Sequence, residues 1–207
     1  MNRAEAVSEL KAVVALLQDD VTKIVEYGKA NPTPYAHRMF IRAEFALLEG
    51  LLYQMRQVTL ASLAETDLLR PEEVALLSEV RYSLDKKGQI TEKEQFENFL
   101  PNMLFTLRMY AKNHGAEFEP NISEAGWEAM QKAVRIRNSV THPKSAACLD
   151  LSEQDMESVF LASHWWERTV LNLFEACKEA DDFWRARLET GEEELCVRES
   201  PTHQPPA

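Results

Sequence analysis

Cysteine is scarce in this chain of 207 residues, which holds Cys148, Cys177 and Cys196. An odd number at wide spacing makes no disulfide framework, and no Cys-x-x-Cys pair points to zinc. Reduced thiols of this kind fit a cytoplasmic location. Glycine is scarce too, at six residues, and strand-like alternation is hard to find. No stretch approaches the roughly 18 consecutive apolar residues of a membrane span, so no membrane partner is expected. The opening "MNRAEAVSELKAVVALLQDD" is charged throughout and lacks the apolar region of a signal peptide. Positive charge is short: 23 Lys and Arg face 34 Asp and Glu, for a formal net charge of −11. That balance argues against generic polyanion binding, although a local basic patch survives an acidic total. An HExxH, a carboxylate cluster and a Walker-type glycine loop are also missing, so the expectation is no metal and no cofactor.

What the chain does have is helical spacing, with 45% hydrophobic residues to build a core. Leu10, Val13, Val14, Leu17, Val21, Ile24 and Val25 recur at three and four and predict a helix over about 3–29. Pro32 and Pro34 break it. A second long helix is predicted over about 35–63, with Phe40, Leu47, Leu48, Leu51, Met55 and Val58 as its stripe. Pro71 followed by two acids starts another helix. Residues 85–100 read as a loop with a short helix beginning near Thr91. Pro101 reads as a break, and a helix over about 102–113 ends at Gly115. Ser123 is expected to cap a helix that runs to Thr141. Ser152 with Asp155 opens a last helix reaching about Glu189. The expected fold is all-α: an antiparallel bundle within one domain over 1–190. It has two long helices and an inserted helical middle region over about 64–120, and a flexible tail follows over 191–207.

Helical wheels, at about 100° per residue, single out two charges. On the helix ending at Thr141, Trp127, Met130, Ala133, Val134, Ile136 and Val140 share one half of the wheel. Arg137 falls in the middle of that half, whereas Arg135 falls towards water. A guanidinium facing the core has to be paired or line a cleft. On the second helix Glu44 falls mid-face, with Arg42, Glu49 and Arg56 towards the outside. A Glu44–Arg137 pair between the helices is therefore expected. His142 precedes Pro143, which pushes it out of helical geometry and frees its ring. A helix C-terminus favours imidazolium, and a histidine near neutrality suits proton transfer. A guanidinium beside an imidazole is a minimal phosphodiester site.

"RNSVTH", from Arg137 to His142, resembles the Arg-x4-His motif of HEPN domains (higher eukaryotes and prokaryotes nucleotide-binding), in which a polar residue often follows the arginine. The motif closes one helix, a short loop follows, and a long helix comes next, as in that family. The likeness covers about 123–180, and the bundle extends it loosely to 1–60. The inserted middle region departs from the simplest HEPN bundle. The resemblance implies a metal-independent endoribonuclease, of the kind found as toxins and defence proteins, working as a homodimer with two motifs at one cleft. RNA would be the substrate and an antitoxin or regulatory protein a partner. His142 would be general base or general acid, Arg137 would stabilise the phosphorane, and Asn138 would orient the phosphate or His142. Glu44 and Thr141 would support the site. The family also contains non-catalytic helical interaction modules, and the acidic total favours that alternative. Outside the motif, Trp166, Val170, Leu173, Phe174 and Cys177 form a core stripe. Trp165 points away from it, towards another helix of the chain or a partner, with the partner favoured.

Overall fold

The computed structural model describes residues 1–64, 68–94 and 98–190. The flexible tail expected over 191–207 lies outside the described residues, with Cys196 and His203. Helix α1 (Arg3–Ala30) starts on a capping box. Asn2 Oδ1 accepts from the Glu5 N–H at 2.9 Å, and the Glu5 carboxylate accepts from the Asn2 N–H at 3.0 Å. Helix α2 (Pro34–Ala61) follows after a short connection, with Pro34 in its first turn and the Thr33 hydroxyl accepting from the Ala36 N–H at 3.3 Å. The two helices form a close hairpin. At Gly50 a Cβ would sit 2.5 Å from Leu17 Cδ1, the tip of a flexible side chain that would have to turn aside.

The middle region departs from its expected course. Helix α3 (Pro71–Leu77) is short, and the chain then forms a β-hairpin of β1 (Val80–Leu84) and β2 (Ile90–Glu94). The strands are antiparallel, with Val80 opposite Glu94 and Leu84 opposite Ile90. The helix expected near Thr91 is thus a strand. Asp85 Oδ1 accepts from the Lys87 and Gln89 N–H groups at 2.7 and 2.8 Å, and Gly88 takes φ +75°, a turn that reverses the chain. Helix α4 (Phe99–Asn113) begins before Pro101 rather than after it. Pro101 sits in the first turn, where its missing N–H needs no partner.

Helix α5 (Ala125–Thr141) has Glu124 at its N-cap. The expected cap, Ser123, instead turns its hydroxyl to Asn121 Oδ1 at 2.7 Å. Helix α6 (Glu153–Thr190) starts where its cap predicts: the Ser152 hydroxyl accepts from the Asp155 N–H at 3.2 Å and donates to Asp155 Oδ2 at 2.7 Å. Helices α5 and α6 run antiparallel, since Lys132 Nζ reaches the Gln154 carbonyl at 3.3 Å while Gly126 meets Trp165. A Cβ at Gly126 would lie 2.5 Å from Trp165, and the indole N–H donates to the Asn121 carbonyl at 3.0 Å. Trp165 is 2% exposed and packs against Trp127, so its neighbours are in its own chain and no partner is needed to cover it.

The fold is all-α with one small hairpin. Its core joins Ile41, Leu48 and Met55 of α2 to Met103 and Leu107 of α4, Met130 and Val140 of α5, and Val159 and Leu173 of α6. Burying each such side chain contributes about 1.5–3 kcal/mol. Trp166 and Cys177 belong to this core as expected, and burial pushes the Cys177 thiol up to about 12. No helix among the described residues is long and apolar enough to cross a membrane.

Candidate functional site

Arg137 leaves α5 on the side facing α2 and α4. Its guanidinium lies 5.5 Å from the Phe45 ring centroid and 5.6 Å from that of Phe99, stacking on two aromatic faces. Arg135 is exposed. The carboxylate that pairs with Arg137 is Glu49, not Glu44. The expected Glu44–Arg137 pair does not form because Glu44, five residues earlier on α2, faces the other side of the helix, towards α1 and α6. Burial raises the Glu44 pKa, and a nearby Ser163 hydroxyl offsets this only in part. The Ser163 hydroxyl has no partner of hydrogen-bonding geometry. Burial also lowers the Arg137 pKa, but a guanidinium stays protonated in any protein.

His142 is the C-cap of α5. Its N–H donates to the Asn138 carbonyl at 2.9 Å, and its backbone (φ −124°, ψ 63°) has left the helix. The ring is exposed. Two arginines of α2 hold the flanking chain. Arg42 Nη2 donates to the Val140 carbonyl at 3.1 Å and Arg38 Nη1 to the Leu149 carbonyl at 3.2 Å. Asn138 is exposed, and its Oδ1 accepts from Arg137 Nη1 at 2.9 Å. It steadies the guanidinium rather than the imidazole. Thr141 is exposed at the end of α5.

An open cleft of about 770 Å³ brings Arg137 and His142 together, with Glu49, Tyr53, Phe99 and Thr106 in its wall. Asn138, Thr141 and Glu44 are not part of that wall among the described residues. The cleft also contains Arg56, Glu79 and Asn102, none of which sequence reasoning placed there. Arg56 donates to Glu79 Oε1, and Asn102 Nδ2 donates to the same oxygen at 3.1 Å. Arg56 was expected towards the outside of α2, yet it is 9% exposed, because α4 and the segment after α3 cover that flank. The sequence signal was present in weak form: Glu49, Leu52, Tyr53 and Arg56 recur at three and four, a second stripe of mixed polarity. Among the described residues no group of three or more His, Cys, Asp or Glu is placed to hold a metal ion.

Comparison with protein families, with characterised proteins and with solved structures finds no match for this chain.

Proposed function

We propose that the chain is a metal-independent endoribonuclease of the HEPN type, with Arg137 and His142 as its catalytic residues and Asn138 positioning Arg137. One observation carries the reading: Arg137 and His142 line one open cleft. On an unbroken helix, residues five apart would diverge by about 140°. The break before Pro143 is what allows both into the same wall.

The chemistry needs a ribose 2′-hydroxyl. Its oxygen attacks the adjacent phosphorus, the bond to the 5′-oxygen breaks, and the products are a 2′,3′-cyclic phosphate and a 5′-hydroxyl. One imidazole accepts the 2′-OH proton, and an imidazolium gives a proton to the leaving oxygen. A homodimer presenting two copies of His142 to one cleft would divide these roles. Arg137 offers its charge to the phosphorane, where a preorganised donor counts most. Substrate has to displace Glu49, which is half-exposed and free to swing away.

The second reading is a non-catalytic helical binding module, and the Glu49 carboxylate on Arg137 favours it, because it neutralises the cation that phosphate would need. Incubation of RNA with wild type, His142→Ala and Arg137→Ala in the presence of EDTA separates the two. Cleavage by wild type alone is the expected result. Activity that survives both substitutions would rule out the site, and no cleavage of any RNA would leave the binding module.

A further inference from the structure

The cleft holds a second arginine that the Arg137–His142 pair does not use. Arg56 is buried, with its side chain about 11% exposed, and contributes to the cleft wall. One terminal nitrogen donates to Glu79, and its Nε is buried with no hydrogen-bond partner among the described residues. A buried, charged donor without an acceptor is costly, and because this Nε is closed to solvent a ligand oxygen would complete it only once the Glu79 side chain has moved aside. Glu79 engages Arg56 through one terminal nitrogen, whereas phosphate can take a guanidinium through two parallel N–H donors.

Glu79 supplies an independent observation. It lies just past the end of α3 with φ +54°, and among the described residues it is the one non-glycine with positive φ. Glycine is the usual occupant of that position. A glutamate is strained there, and its carboxylate is what Arg56 and Asn102 hold. Beside them Tyr53 is half-exposed, with the Arg56 guanidinium 5.8 Å from its ring centroid. A half-exposed ring against a cationic groove is how single-stranded nucleic acid finds a stacking platform.

Resting on the ribonuclease reading above, we infer that the cleft takes two phosphates of one RNA strand. One sits at Arg137 and the other at Arg56, where it displaces the Glu79 carboxylate, with a base stacked on Tyr53. Glu49 and Arg56 are separated by about 10 Å of helix rise, within the reach of a dinucleotide. Each arginine is held by a glutamate in the resting chain, so both halves of the cleft are self-neutralised until substrate exchanges for carboxylate.

The test is the salt dependence of binding to a fluorescent 2′-O-methyl oligouridine, which cannot be cut. Arg56→Gln is expected to weaken binding about tenfold and to lower the slope of log K against log salt by about 0.7, the contribution of one phosphate in a single strand. The double variant Arg56→Gln/Glu79→Gln leaves no lone buried charge and is expected to show the same slope. Glu79→Gln alone keeps an oxygen for Asn102 but frees Arg56, and is expected to bind several-fold tighter than wild type. A folded double variant with the wild-type slope, or a Glu79→Gln variant that binds no tighter, would overturn the second phosphate site. No binding of wild type at any salt would remove this inference together with the reading it rests on. If the slopes change as stated but no RNA is cut, the phosphate site stands and the nuclease reading falls. If RNA is cut but the slopes do not move, the reverse holds.

Discussion

Glu44 and Glu49 stand five residues apart on α2 and meet opposite surroundings. Glu44 enters an apolar groove of about 680 Å³ walled by Val14 of α1, Phe40 and Leu51 of α2, and Phe160 and Trp166 of α6. The charged or titratable groups beside it are Glu167, which raises its pKa further, and His164, which lowers it. Glu49 faces the cleft on the other flank and has the Arg137 guanidinium, itself spread over Phe45 and Phe99. On one flank burial acts on a carboxyl that Ser163 and His164 offset only in part, and on the other a half-exposed carboxylate meets a guanidinium. A polar residue on an apolar stripe marks a site only when the facing helix answers it.

The largest test of that contrast is catalytic. On the proposed ribonuclease reading, His142→Ala is expected to slow RNA cleavage about 10²–10⁴-fold, the range of a lost general acid or base. Arg137→Ala is expected to slow it about 10²–10³-fold, measured under single-turnover conditions. Asp or Glu changes in the apolar groove should not approach these losses. Next comes stability. Glu49→Leu strips Arg137 of its partner and is expected to destabilise by about 1 kcal/mol in urea denaturation. Glu44→Leu removes from an apolar wall a carboxyl whose burial is only partly offset and is expected to stabilise by a similar amount. Equal signs for the two substitutions would erase the contrast.

A subtler form of the same test uses pH. A carboxyl whose folded pKa is raised supports folding below its unfolded value and loses that support as pH rises through the folded value. Glu44→Gln should therefore gain stability relative to wild type as pH climbs from about 4 to 7. Glu73 runs the other way. Burial works to raise its pKa, but bonds from Lys112 and Arg70 hold it below the ordinary carboxylate value. Glu73→Gln should lose ground to wild type as pH climbs through the acid range up to the unfolded value of about 4.5, with little further change towards 7, by comparison of melting temperatures. The smallest effect is reserved for an exposed pair. Glu119 accepts two bonds from Arg108 Nε, at 3.0 and 2.9 Å, yet lies in solvent. Glu119→Gln is expected to change stability by less than about 0.5 kcal/mol.

The long helices were legible because apolar residues at three and four have one physical explanation. So was the start of α6, where Ser152 and Asp155 satisfy each other's N–H groups. The hairpin was not legible. Tyr82, Leu84 and Ile90 are exposed, so β1 and β2 bury no face and write no alternation. Their cue was local: Asp85 and Gly88 at the turn. In the cleft, the inward turn of Arg137 was readable from its own wheel, but its partner was not. A wheel shows which face is apolar, and it does not show which polar flank another element will cover. Helix α4 and the segment after α3 cover the flank that carries Arg56, and they turn a nominal surface residue into part of the site.

Arg38 and Arg42 leave α2 one turn apart and grip the carbonyls of Leu149 and Val140. His142 lies between those carbonyls in the chain, so it rides on a span moored at both ends to one helix. The same helix carries Glu49 and Arg56. If α2 rolls about its axis, histidine, carboxylate and second arginine travel together. If α2 parts from α5, the whole cleft goes out of register in a single step.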